Sequence, residues 1–143
     1  MGRLLTPAED HSRRVLGAAV HPGAIRRLHE LFPDAFVKVR HETNKIELPH
    51  GSRKMSNMYY AQPEHETYVY IDLDGDRRSG GTIWAKAVCH PLDNFDRRKG
   101  IELAFRRALD IARKNHQQRE WTRAQHANAA RRAGRLIARG VRP

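Results

Sequence analysis

Asp72, Asp74 and Asp76 occupy alternate positions, so an extended strand would point the first two carboxylates from one face. Hard oxygen donors in that spacing suit Mg²⁺ or Ca²⁺. Asp74-Gly75-Asp76 is also ordinary turn chemistry, and a polar hairpin end is the simpler reading. Histidine is plentiful (His11, His21, His29, His41, His50, His65, His90, His116 and His126), yet no two stand four apart to share a helix face. Cys89 is the only cysteine, so a zinc site would have to gather ligands from distant segments. Cys89 closes an apolar run, where cysteine is usually a small buried hydrophobe and not a nucleophile. Arg78-Ser79-Gly80-Gly81-Thr82 lacks the Lys-Ser/Thr ending of a phosphate-binding loop. No catalytic residue, metal or cofactor is expected from these groups.

Charge gives a stronger signal. The chain has 143 residues, with 27 Lys+Arg against 16 Asp+Glu. Residues 1–95 carry 13 cations and 12 carboxylates, whereas residues 96–143 carry 14 and 4. The excess therefore belongs to the C-terminal third. Cations at that density repel one another unless an anion screens them, and a phosphate backbone is the commonest such anion. Arg97, Arg98, Lys99, Arg106, Arg107, Arg113, Lys114, Arg119, Arg123, Arg131, Arg132 and Arg135 are the candidate phosphate contacts. A solvated helix face would normally balance them with Glu at i,i+4, and here only Asp96, Glu102, Asp110 and Glu120 are present. No apolar run approaches the 18 or so residues of a membrane span. The opening residues carry no secretory pattern, and a reducing cytoplasm is the expected compartment.

The elements that must position these groups read as α+β. Thr6-Pro7-Ala8-Glu9 is a helix start, with Thr6 as cap and Pro7 in the first turn, and that helix is expected to reach Val20. His21-Pro22-Gly23 stops it. A second helix places Ala24, Ile25, Leu28, Leu31 and Phe32 on one face and ends at Pro33. The period then becomes two. Val37 and Val39 alternate with Lys38 and Arg40, and Ile46 and Leu48 with Lys45 and Glu47, predicting a hairpin turning at Glu42-Thr43-Asn44. Residues 49–66 read as a long loop. Strands over Thr67–Asp74 and Thr82–Cys89 follow, joined by a turn over residues 75–81, for about four antiparallel strands in all. Asp93 or Asn94 should cap a long amphipathic helix whose core stripe is Ile101, Ala104, Phe105, Ala108, Leu109 and Ala112. Residues 1–118 form one domain in this reading, and residues 119–143 an Arg/Ala-rich helical tail, projecting or folding on a partner.

Alternation also predicts the sheet faces. With Val69, Ile71 and Leu73 inward, Tyr68, Tyr70 and Asp72 point the other way, and Trp84 and Lys86 of the return strand join them. Three aromatics and a cation on one face suit stacking on unpaired bases. A chain this short with at least three helices instead favours a helix over that face, which would make the aromatics core.

The segment Cys89-His90-Pro91-Leu92-Asp93-Asn94-Phe95-Asp96-Arg97-Arg98-Lys99-Gly100, with Ala104, Arg107 and Ala108 beyond it, resembles a C-x-P-x-D-x-F-x-R-x-x-G-x-x-x-A-x-x-R-A pattern. That pattern belongs to small proteins encoded by tailed phages, chiefly of actinobacterial hosts. The resemblance implies a viral origin and a host cytoplasm, and it implies no particular activity. Three cations at a helix start oppose the helix dipole, and with the free N–H groups there they make a phosphate seat. The expected function is non-catalytic binding of nucleic acid, DNA or RNA, or of a host nucleoprotein machine such as polymerase or ribosome. One alternative is a protein-binding inhibitor of a host defence or replication factor, its basic tail meeting an acidic surface. A second is a metal-dependent nuclease, because Tyr70-Ile71-Asp72-Leu73-Asp74-Gly75 with Gly80-Gly81 and Gly100-Ile101-Glu102 resembles a ribonuclease H core. Asp72, Asp74 and Glu102 would then be its carboxylates.

Overall fold

The structure, a computed structural model, describes residues 4–46, 62–75, 81–89, 96–138 and 140. Thr6 is extended, and its side chain accepts from the Glu9 amide at 3.2 Å, starting α1 (Pro7–Leu16) with Pro7 in the first turn. Glu9 and Asp10 sit at the positive end of the helix dipole, and Arg13 and Arg14 at the negative end. The helix stops four residues before Val20. Gly17 takes a φ of +57°, its amide bonds the Arg13 carbonyl, and a 3-10 turn over Gly17–Ala19 follows. A backbone conformation that only glycine adopts cheaply ends the helix where the apolar pattern would have continued it. His21 both separates and starts: its Nδ1 accepts from the Gly23 amide at 3.0 Å, capping α2 (Pro22–Leu31).

One prediction fails at the next element. Phe36–Ile46 is a single strand, β1, and Glu42, Thr43 and Asn44 lie within it instead of turning. Its partner is β2 (Gln62–Asp72), antiparallel, with Phe36 opposite Asp72 and Ile46 opposite Gln62. Residues 62–66, read as loop from their sequence, are therefore strand. β3 (Thr82–Cys89) pairs antiparallel on the other side of β2. Among the described residues the sheet has three strands in the order β1-β2-β3, not about four, because the two halves of the expected hairpin are one strand. Residues 47–61, 76–80 and 90–95 lie outside the described residues, and with them Asp76, Asp93 and Asn94.

α3 (Arg97–Ala138) is one helix of 42 residues. Asp96 caps it in place of Asp93 or Asn94: its Oδ1 accepts from the Arg98 amide at 2.9 Å and the Lys99 amide at 3.4 Å. Ala104, Phe105, Ala108, Leu109 and Ala112 are buried as their spacing predicts, with Ile101 packed beside them. They meet the inward residues of the sheet, Val37, Val69, Ile71, Leu73, Ala85 and Ala87, together with Leu16, Ile25, Leu28 and Phe32 of the first two helices. All three helices thus share one face of the sheet for their apolar contacts. Gly100 lies against Thr67, and Arg119 reaches Asp74, so α3 runs along β2 in the same direction. Beyond Arg119 the helix continues about 28 Å at 1.5 Å per residue, its surface mostly exposed. Among the described residues no helix is long and apolar enough to cross a membrane.

Candidate functional site

Directly opposed residues of an antiparallel sheet share a face, and the register composes the face away from the core row by row. Phe36, Asp72 and Thr82 form the first row, Lys38, Tyr70 and Trp84 the second, Arg40, Tyr68 and Lys86 the third, and Glu42, Glu66 and Val88 the last. Against the expectation, no helix among the described residues covers this face. Trp84 is 53% and Val88 44% exposed, and Tyr68 and Tyr70 are half-buried only by one another and their neighbours. The three helices bury their stripes on the opposite face, where α3 alone spans most of the length of β2. α1 reaches only the corner, where the His11 ring stacks on Phe36 at 4.4 Å.

The open face is ordered by its own contacts. Tyr68 and Tyr70 stack with centroids 6.1 Å apart and planes 17° from parallel. Tyr68 and Trp84 lie 6.0 Å apart at 44°. Lys38 places its ammonium 5.7 Å from the centre of the Phe36 ring. The Tyr68 hydroxyl donates to Glu66 Oε2, and that bond, with the nearby carboxylate charge, pushes the phenol up to about 12. Glu66 also faces the Lys86 ammonium at 3.9 Å, and Arg40 pairs with Glu42. The result is a flat aromatic strip edged by cations on both flanking strands. Lys38, Arg40 and Phe36 belong to it and were missed in the sequence. Lys38 and Arg40 alternate visibly with Val37 and Val39, but assigning β1 to a hairpin of its own hid its pairing with β2.

The remaining candidates divide by what they touch. Arg97, Arg98 and Lys99 are exposed on the first turn of α3, which carries no acidic residue. The amides of Arg98 and Lys99 are engaged by Asp96, so the side chains, not free N–H groups, present the positive charge there. Arg97 faces His41 closely enough that its charge, after the larger effect of burial, holds the imidazole below its ordinary value. Arg106 binds Glu102 at 2.6 Å, Arg113 lies 3.8 Å from Asp110, and Arg123 lies 3.2 Å from Glu120. Arg107 donates to the Lys86 carbonyl at 2.7 Å, tying the helix to β3. Arg119 is a structural clasp. Its two terminal nitrogens donate to the two oxygens of Asp74 at 3.0 and 3.1 Å, raising its pKa, and its guanidinium covers the Phe32 ring at 5.2 Å. Lys114, Arg131, Arg132 and Arg135 are exposed along the helix, with Arg131 bonded to Asn128.

The carboxylates do not gather. Asp74 is taken by Arg119 and Glu102 by Arg106, while Asp72 lies on the opposite face of the sheet from α3. Among the described residues no three His, Cys, Asp or Glu side chains are grouped as a metal site. The buried polar pair is elsewhere: Ser12 Oγ and His29 Nε2 lie 2.7 Å apart between α1 and α2, a tether inside the core. Comparison of the chain with protein-family models, with curated proteins and with solved structures finds no match.

Proposed function

We propose that this protein binds single-stranded nucleic acid without catalysis, bases on the open sheet face and phosphates on the surrounding cations. The observation that carries the reading is the uncovered face itself. A sheet of three strands with helices on one side would ordinarily turn polar residues to water on the other. This one presents Tyr68, Tyr70 and Trp84 side by side, with Lys38, Arg40 and Lys86 in the same rows. Aromatic faces stack on any base, and flanking cations follow the backbone. The exposed cations of α3 extend the positive surface beyond the sheet, for a longer strand or for a nucleoprotein partner such as a polymerase or ribosome. Arg119 and Arg106 are left out of this set, because Asp74 and Glu102 already occupy their guanidinium groups, and Arg40 and Lys86 share their charge with Glu42 and Glu66.

Fluorescence anisotropy with a random single-stranded 12-mer tests the reading. Neutralising about seven phosphates gives a log–log salt slope near −5 at about −0.7 per contact, so affinity should fall roughly a thousandfold between 50 and 200 mM salt. Binding that is absent, or indifferent to salt over that range, refutes the proposal and favours a protein-binding role for the basic helix.

A further inference from the structure

The first two rows of the open face enclose a hollow of about 210 Å³ lined by Phe36, Lys38, Tyr70, Asp72 and Thr82. That is below the roughly 300–1,000 Å³ of clefts that hold drug-sized ligands and is in keeping with one ring system. Asp72 is 6% exposed, its two carboxylate oxygens are closed to water, and neither has a hydrogen-bond partner among the described residues, so a ligand in the hollow meets them only when the side chain turns toward it. A buried carboxylate without donors is costly, and native folds rarely keep one without a use. Here it sits at the end of an aromatic strip, in the row of Phe36 and next to the row of Tyr70.

We infer that this hollow selects one unpaired guanine base of the bound strand, an inference that rests on the nucleic-acid reading above. The chemistry follows from the donors a carboxylate needs. On the Watson–Crick edge, guanine presents two adjacent donors, N1–H and the N2 amine, which match the two oxygens of one carboxylate. Adenine and cytosine place an acceptor beside their amine, and uracil flanks its single N–H with two carbonyls, so each meets Asp72 with at least one repulsive lone pair. Tyr70 lines the hollow with its ring, beside a Phe36 ring already stacked on His11, and the Thr82 hydroxyl and Lys38 ammonium are donors in the same hollow for the O6 carbonyl. A guanidinium offers the same paired donors. However, Lys38 in the hollow repels a cationic ligand, whereas a base arrives neutral.

The test uses uridine-rich 9-mer RNAs carrying one central guanosine, adenosine, cytidine or inosine, with the full chain. Guanosine should bind about 5- to 150-fold more tightly than adenosine, the discrimination of a bidentate base contact. Inosine, which keeps N1–H and lacks the amine, should fall between them. Asp72→Asn, of the same shape, should lose the preference while still binding the adenosine oligomer. Guanosine monophosphate should compete weakly, since it brings one phosphate to a multiply cationic face. Competition equal to that of the oligomer would make this a mononucleotide site and overturn the strand assignment. Equal binding of all four RNAs overturns the pocket and leaves the broader function standing. Failure of every RNA to bind overturns both. A preference that survives Asp72→Asn places the selectivity elsewhere and overturns the role of Asp72. If the RNAs bind alike and a Gly-Gly-Arg-Gly-Gly peptide binds the wild type but not Asp72→Asn, the hollow takes a guanidinium and the base assignment is wrong.

Discussion

Replacing Trp84 by alanine separates a stacking platform from a core. Trp84 keeps 53% of its surface in water, on β3 opposite Tyr70. A wholly buried aromatic hides about 150–250 Å², so the part sheltered here is on the order of 100 Å². At about 25 cal/mol per Å², and with some of that area already hidden in the unfolded chain, Trp84→Ala should cost about 1–2 kcal/mol of stability. Core truncation sets the contrast: Ile71, fully buried on the other face of β2, should lose about 2–5 kcal/mol on change to alanine. Binding should show the reverse ranking. Stacking on an aromatic is worth about 1–3 kcal/mol per base, so Trp84→Ala should weaken a single-stranded oligomer by about 5- to 150-fold. Trp84→Phe, which keeps a ring face, should restore much of it. Urea unfolding supplies the stabilities and anisotropy the affinities, both at 25 °C. A Trp84→Ala protein that binds as the wild type does would refute the platform. So would a stability loss of about 3–5 kcal/mol, the cost of a truncated core tryptophan, because the ring would then be packed as core.

Two further outcomes follow from contacts made by α3 and β2. A Cβ at Gly100 would stand 2.6 Å from Thr67 Oγ1, and Thr67 is buried and hydrogen-bonded to His41 Nδ1 at 3.0 Å. The strain of overpacking, about 1–3 kcal/mol, should outweigh the helix preference of alanine over glycine, about 1 kcal/mol. Gly100→Ala should therefore destabilise in thermal unfolding. Adding Thr67→Ala should recover part of the loss, beyond additivity, and a more stable Gly100→Ala protein would contradict the close approach. For Tyr68, the protonated phenol is the form held by Glu66, with the folded pKa raised from 10.0 to about 12. Its contribution to stability is complete below pH 10 and is lost as pH climbs through about 12. An ultraviolet titration should show a late phenol that is absent in Tyr68→Phe and shifted down in Glu66→Gln; a late step that survives Tyr68→Phe would dispose of the pairing.

How much of this was legible in the chain depends on the range of the interaction that decides each feature. Local chemistry was readable. The Thr6 cap, the α3 stripe and the inward alternation of β2 and β3 are fixed by neighbours within a few residues, and each stands where its spacing puts it. Pairing across distance was not. Nothing between Val37 and Ile46 distinguishes a strand that turns back at Glu42-Thr43-Asn44 from one that runs straight to a partner about 25 residues on, because both keep period two. That one ambiguity concealed most of the candidate site, for it decided whether Lys38 and Arg40 flank Tyr70 and Tyr68 or belong to a separate hairpin. Burial of the aromatics was likewise a question of where α3 lies. Its stripe of mostly small residues packs on Val69, Ile71, Ala85 and Ala87. With the helices committed to that side, the bulky rings of the other face are left to bind something outside the fold, or to stack only on one another. The cations in the same rows, Lys38, Arg40 and Lys86, are the ground on which an anionic strand is proposed as that occupant.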